Sequence, residues 1–121
     1  MIVYEYAVIR LVPSIERGEL VNVGVIVYCQ PMDFLCARIE LAEPRLRALS
    51  EDLDLAQVRH ALTAYELTCE DEDRGGLGAR FRWLTAPRST VVQPGPVHAG
   101  LTTDPVAELD RLMDRLVRTA V

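Results

Sequence analysis

The sequence predicts an α+β domain, in which an antiparallel sheet begun by an N-terminal three-stranded meander packs with two to three helices. Residues 2–41 consist of β-branched and aromatic runs separated by turn residues, a pattern typical of strands. Helical periodicity begins only after them. With 121 residues, half of them hydrophobic, the chain is long enough to bury one core, and we expect a single domain over 1–121.

The three predicted strands span about residues 2–12, 20–29 and 34–41. Pro13 and Gly18 mark the loop after the first strand, and residues 30–33 form the turn after the second. In the third strand, apolar side chains alternate with Cys36, Arg38 and Glu40, which suggests that one face meets solvent.

Period two in the second strand places four valines on one face: Val21, Val23, Val25 and Val27. Asn22 and Gly24 are expected on the other face, with Ile26 and Tyr28. Asparagine is poor in strands, and a glycine there lets a second backbone or a ligand approach closely. Alternatively, Asn22 satisfies loop backbone groups and Gly24 relieves a β-bulge.

Three helices are predicted, at about residues 44–50, 54–69 and 104–119. Asp54 is a suitable N-cap for the second helix because Gln57 follows three residues later, as in a capping box. Asp104 followed by Pro105 is a typical start for the third.

The segment at 79–93 combines arginines with the chain's one tryptophan, and it follows a glycine-rich hinge. A short strand is expected at about 90–93. If the first part of the segment is extended, Phe81 and Trp83 fall on one side and belong to the core. An exposed Trp83 would instead indicate a surface for a partner.

Composition excludes several functions. All thirteen basic residues are arginines, so Schiff-base, pyridoxal phosphate and phosphate-loop lysines are excluded. The net charge of −5 disfavours binding to the phosphates of a nucleic acid. Three cysteines without a zinc-type spacing are typical of reduced thiols, and no apolar run is long enough to span a membrane. We therefore expect a cytoplasmic protein without a cofactor or a bound metal.

Two arginines are candidates for an anion site. Arg10 and Arg80, helped by Arg82, could converge on a carboxylate or a phosphate through paired hydrogen bonds. Each could equally pair with an acid of the chain, for example Glu5 or Glu19. The sequence leaves both possibilities open.

Three stretches taken together resemble a known family. They are Tyr-x-Tyr-Ala-Val-Ile-Arg-x-Val-Pro at 4–13, Gly-Glu-x-Val-Asn-Val-Gly-Val at 18–25, and Arg-Phe-x-Trp-Leu at 80–84 with Ser89. The chain resembles the bacterial family catalogued as domain of unknown function 3037 over residues 2 to about 117. The resemblance implies a single-domain bacterial protein without an assigned activity, often encoded beside a HipA-like kinase, and so it suggests a protein partner.

The leading hypothesis is a non-enzymatic binding or accessory module that contacts another bacterial protein, such as a HipA-like kinase. Its predicted surface comprises Arg10, Glu19, Asn22, Gly24, Arg80 and Trp83. The alternative is a small enzyme or sensor for an anionic metabolite, in which Arg10 and Arg80 clamp the ligand, Asn22 orients it and Glu19 is the general base. A third hypothesis gives these residues a purely structural role. The sequence leaves the oligomeric state open, although the exposed edge of the strand at 34–41 could pair with its copy in a homodimer.

Overall fold

The structure is a computed structural model that describes residues 1–118. Its strands are β1 (Ile2–Leu11), β2 (Val21–Cys29), β3 (Phe34–Ile39), β4 (Val92–Pro94) and β5 (His98–Thr102). Its α-helices are α1 (Glu43–Leu49), α2 (Leu55–Glu70), α3 (Leu77–Thr85) and α4 (Pro105–Leu116). Short 3-10 turns lie at Gln30–Met32 and Glu72–Arg74.

The strands of the described residues form one antiparallel sheet, in the order β3-β2-β1. The far side of β1 carries two strands, because β4 pairs with its last residues and β5 with its first. This arrangement confirms the predicted α+β class and the N-terminal meander. The predicted strand at 90–93 is found at Val92–Pro94, whereas β5 was not predicted.

Helices cover both faces of the sheet. Buried side chains of α1, α2 and α3 pack with Ile9, Leu11 and Ile26 on one face. On the other face, Leu109, Leu112 and Met113 of α4 pack with Tyr4 and two valines of β2. The face of β3 that bears Cys36 and Arg38, expected to meet solvent, therefore lies under α4, because Cys36 packs into this second core and Arg38 pairs with Asp110.

The predicted helix starts are close to the observed ones. The Asp54 carboxylate accepts a hydrogen bond from the backbone N–H of Gln57, and the Asp104 carboxylate accepts from the backbone N–H groups of Val106 and Ala107. Pro105 occupies the first turn of α4, as expected. The predicted end of this helix at Thr119 lies outside the described residues.

A β-bulge in β2 changes which residues share a face. Ile9 pairs with Gly24 and Arg10 pairs with Asn22, so Val23 is an extra residue on β2. The prediction that the four valines share one face is therefore wrong: Val21 and Val23 pack in the α1–α3 core, and Val25 and Val27 in the α4 core.

The same bulge separates Asn22 from Gly24. The Asn22 amide donates to the carbonyl of Leu116, 3.0 Å away in α4, which places it on the α4 face. Gly24 faces the other core, because a Cβ there would lie 3.2 Å from Cδ1 of Ile9. The expectation that Asn22 and Gly24 share a face with Ile26 and Tyr28 is wrong for Asn22.

The arginine- and aromatic-bearing segment starts with a helix. Gly76 precedes α3 at the N-cap position, and Phe81 and Leu84 pack in the α1–α3 core. The helical turn points Trp83 outward, leaving its side chain 52% exposed. Phe81 was correctly expected in the core, whereas the expectation for Trp83 is wrong because it depended on an extended backbone.

Candidate functional site

An apolar groove lies between α2, the end of α3 and the segment that leads into β4. It encloses about 690 Å³ and is open to solvent along one side. Its floor is built by core residues that also hold the helices together, so its shape is fixed by packing. Its apolar lining includes Leu53, Val58, Ala61, Leu84, Val91 and Val92.

Trp83 stands at the rim of this groove in contact with two arginines. The guanidinium carbon of Arg88 lies 4.5 Å from the centre of the indole ring, and that of Arg74 lies 5.1 Å from it. Both distances are within the range of cation–π attraction. The two arginines restrict the rotamers of Trp83, and so a large aromatic surface is held in place although it meets water.

Arg88 ties the rim to the floor of the groove. One of its terminal nitrogens donates to the hydroxyl of Tyr65, 3.0 Å away, and the other donates to the carbonyl of Trp83 at 2.6 Å. Its guanidinium also lies 5.7 Å from the Tyr65 ring centre. These contacts join α2, α3 and the following loop, which makes the rim a preorganised surface.

Two further exposed apolar side chains line the groove and a neighbouring cavity. Val91 lines the groove, and Leu67 lines a smaller cavity on the other side of Ala64, which borders both. Both side chains are exposed. We refer to Leu67, Trp83 and Val91 as the Trp83 patch. Trp83 and Val91 line the same groove, and exposed apolar surface of this kind marks interaction sites on soluble proteins.

The two ends of the groove carry opposite charges. Asp52 and Asp54 line it at the start of α2, whereas Arg88 lines it beside Trp83. Arg74 lies outside this lining and pairs with Asp71, 3.2 Å away. Ten residues of helix separate Asp54 from Ala64 along the groove, which corresponds to roughly 15 Å. A segment lying in the groove would therefore meet an acidic end and a basic end.

Arg80, one of the predicted site residues, is buried inside the domain. It is 6% exposed, and its guanidinium donates to the carbonyls of Cys69 at 2.5 Å and Gly75 at 2.9 Å. These carbonyls lie at the end of α2 and in the loop that follows, where helical carbonyls lack partners. The favourable sign of the helix dipole adds to the interaction. In this structure Arg80 connects α2 with α3.

Arg10 lies across the sheet from Arg80. It pairs with Asn22 on one side and with Gln93 on the other, and Asn22 bonds to α4. Its guanidinium lies flat against Gly95, where a Cβ would come within 3.1 Å of its central carbon. Its buried Nε has no hydrogen-bond partner among residues 1–118.

The predicted anion clamp does not form. Arg10 is on the α4 face, and Arg80 is on the face covered by α2 and α3. Glu19, the proposed general base, pairs instead with Arg17 in the loop before β2. The structure therefore separates the residues that the enzyme or sensor hypothesis required at one point. A binding role for Arg10, Glu19, Asn22 or Gly24 individually stays a prediction.

The other titratable groups with perturbed pKa values serve the fold. Burial, reinforced by a 2.5 Å hydrogen bond to Glu108, raises the pKa of Tyr4 to about 12. The hydrogen bond from Arg111 lowers the pKa of Glu108. Burial raises the pKa of Cys69 to about 12, which suppresses the nucleophilic thiolate.

Sequence reasoning singled out Trp83 but not the residues that hold it. Arg74, Arg88 and Tyr65 come from three separate parts of the chain, so no local spacing links them. The one available signal was the density of arginine near the tryptophan. Within residues 1–118, no three His, Cys, Asp or Glu side chains are arranged to hold a metal ion. No helix in this range is both long and apolar enough to cross a bilayer.

Comparisons with known proteins agree with the resemblance noted in the sequence. The model of a family described as "Protein of unknown function (DUF3037)" matches residues 6–117. No curated protein and no solved structure matches the chain. The matched range includes all four α-helices, four complete strands and most of β1. The chain therefore belongs to the DUF3037 family.

Proposed function

We propose that this domain is a non-enzymatic binding module, and that the groove with the Trp83 patch is the surface that contacts another protein. One observation carries the proposal: a half-exposed tryptophan lies against two arginines at the rim of an apolar groove. Tryptophan, tyrosine and arginine dominate the binding energy of protein interfaces. All three residue types meet here.

The cost of ordering this surface on binding is small. Arg88 is already hydrogen-bonded to Tyr65 and to the backbone of Trp83, so the rim loses little side-chain freedom when a partner arrives. Val91 adds exposed apolar area in the same groove, and Leu67 adds it at the neighbouring cavity. Covering the three side chains of the patch removes apolar surface from water, which favours association.

The charges at the two ends of the groove specify the partner segment. A segment with apolar side chains in its middle, an acidic residue near Trp83 and a basic residue near Asp52 and Asp54 matches the groove at each point. A HipA-like kinase, the partner implied by the family resemblance, is the first candidate to be examined for such a segment.

The test is a binding titration of the candidate kinase with the labelled chain. Because Trp83 is the one tryptophan of the chain, incorporation of 5-fluorotryptophan gives a single fluorine resonance at the rim of the groove. We expect that resonance to shift on binding. Trp83→Ala should weaken binding by at least about tenfold, since buried interface tryptophans typically contribute 2 kcal/mol or more.

The matched control is Val106→Ala. Val106 is 49% exposed on α4, on the opposite side of the sheet, and its truncation should leave the affinity unchanged. If the kinase binds equally well to wild type, Trp83→Ala and Leu67→Glu, the proposed surface is wrong. If the kinase does not bind at all, it is the wrong partner, and the same labelled chain then reports on other candidates.

A further inference from the structure

The strand β5 forms an edge of the sheet that is not protected in the usual ways. It pairs only with β1 among the described strands, so alternate residues direct their backbone N–H and C=O groups outward. Natural edge strands are usually blunted by charges, proline, a bulge or a covering element. None of the residues His98–Thr102 is proline or formally charged at neutral pH.

The neutral character extends well beyond the strand. From Ser89 to Thr103 the chain contains no Asp, Glu, Lys or Arg, although charged residues make up 26% of the whole sequence. This stretch includes β4 and β5, the complete edge on that side of β1. A chain with a net charge of −5 repels its own copy in general, but this edge meets a copy of itself without facing like charges.

The sheet beside this edge also has an uncovered apolar face. Val3 and Leu101 are cross-strand partners, and they are 56% and 58% exposed. The helices that cover this face pack instead on Ile9 and Leu11, at the other end of β1. Adjacent exposed apolar side chains on paired strands extend the surface that a second strand would bury.

The opposite edge of the sheet is better protected. Arg38 lies on β3 and forms an ion pair with Asp110 of α4, so this edge carries a charge that a copy of itself would have to accommodate. Helix α2 packs against the same strand. A homodimer through the strand at 34–41 is therefore disfavoured relative to one through β5.

We propose that two copies of this chain associate through β5, in an antiparallel pair that joins their sheets into one. A two-fold axis near Gly100 places Leu101 of each copy beside Ala99 of the other, on the face that bears Val3. Both residue types are apolar, and both are exposed in the single chain. The occupant of this edge is thus a second copy, because the neutral strand is complementary to itself.

Sedimentation equilibrium tests the proposal over protein concentrations from about 1 µM to about 1 mM. We expect a monomer–dimer equilibrium for the wild type. Leu101→Lys places two like charges beside the axis and removes two apolar contacts, and it should weaken dimerisation by at least about tenfold. Ala99→Lys lies on the same face and should weaken dimerisation in the same way. It provides a second test of the proposal in case Leu101→Lys does not fold.

Ile15→Lys is the matched control, because Ile15 is also 58% exposed but lies in the loop beyond the other end of β1. It should leave the dimerisation constant unchanged. Amide exchange of the outward-facing residues of β5 should slow as the wild type dimerises. A wild type that is monomeric at every concentration overturns the proposal. A dimer that both lysine variants retain also overturns it, as does a dimer in which the amides that become protected from exchange lie on β3.

Discussion

Replacement of Arg80 by methionine separates a structural role of this residue from a binding role. Methionine keeps most of the length and apolar volume of the side chain but removes its charge and its donors. The Cys69 and Gly75 carbonyls, which accept from Arg80 at 2.5 Å and 2.9 Å, then lose their partner inside the domain.

The expected loss follows from these two bonds. Hydrogen bonds to a charged group contribute about 1.5–3 kcal/mol each, but water reaches the Gly75 side, where the loop is exposed. Part of the loss is recovered because the buried charge no longer requires desolvation. We therefore expect the free energy of unfolding to fall by about 2–4 kcal/mol, and the midpoint of thermal unfolding by roughly 10 °C.

Urea denaturation followed by circular dichroism measures this change, with Arg82→Met as the control. Arg82 lies on the same helix and is exposed, and within residues 1–118 its side chain donates only to the carbonyl of Gly78, one turn earlier. Its replacement should change stability by less than about 0.5 kcal/mol. Equal losses in the two variants, or a loss below about 0.5 kcal/mol for Arg80→Met, would refute the assignment of Arg80 to the fold.

Three further changes are predicted. Gly24→Ala should lower the unfolding free energy by about 1–3 kcal/mol, because the added Cβ would lie 2.6 Å from the backbone oxygen of Arg38; calorimetry measures the loss. Asn22→Ala should lower it by about 1 kcal/mol in urea denaturation, through loss of the bond to α4. Folding raises the pKa of Tyr4 from 10.0 to about 12, so the folded chain holds this proton more tightly. The contribution of this difference to the free energy of unfolding is fully present below pH 10 and is lost as the pH rises towards about 12. Thermal melts over this pH range should show that loss for the wild type but not for Tyr4→Phe, because phenylalanine cannot ionise.

The sequence predicts the meander and the helix starts well, because both depend on local patterns. Period two over 2–12 and the caps Asp54 and Asp104 each act within a few residues. The strand β5 has no such pattern: its residues are mixed in character, and the strand exists because β1 is long enough to pair with two segments. Tertiary pairing, which the local sequence does not encode, decides this element.

The bulge at Val23 explains the largest error in the placement of side chains. The predicted faces depend on an unbroken period of two across Gly24, and one extra residue in the strand reverses the face of every residue on one side of it. A glycine inside a valine-rich strand was the available signal, since glycine interrupts strands at bulges and close approaches. The carbonyl of Arg38 is the backbone that makes the close approach.

The candidate site was predicted only in part for a related reason. Arg10, Asn22, Gly24 and Arg80 attract attention because polar residues and glycine are unusual in such strands and near such cores. In the structure three of the four have structural roles. Asn22 donates a hydrogen bond to α4, and Arg80 donates one to the end of α2. Gly24, which has no side chain, lets the backbone of β3 approach closely. Unusual local chemistry identifies constrained positions, and structural constraint produces the same signal as function.

The two proposed surfaces lie at opposite ends of β1. The groove begins beside Pro13, just after this strand, whereas β5 pairs with residues Ile2–Tyr6 at its start. Ten residues of strand span roughly 33 Å, so a dimer joined through β5 leaves both grooves open to solvent. If both proposals hold, one dimer binds two partner segments, and Leu101→Lys should change the stoichiometry of the complex from two partners per assembly to one without altering the affinity of each groove. A partner that binds only the dimer would instead mean that the pairing edge itself contributes to its site.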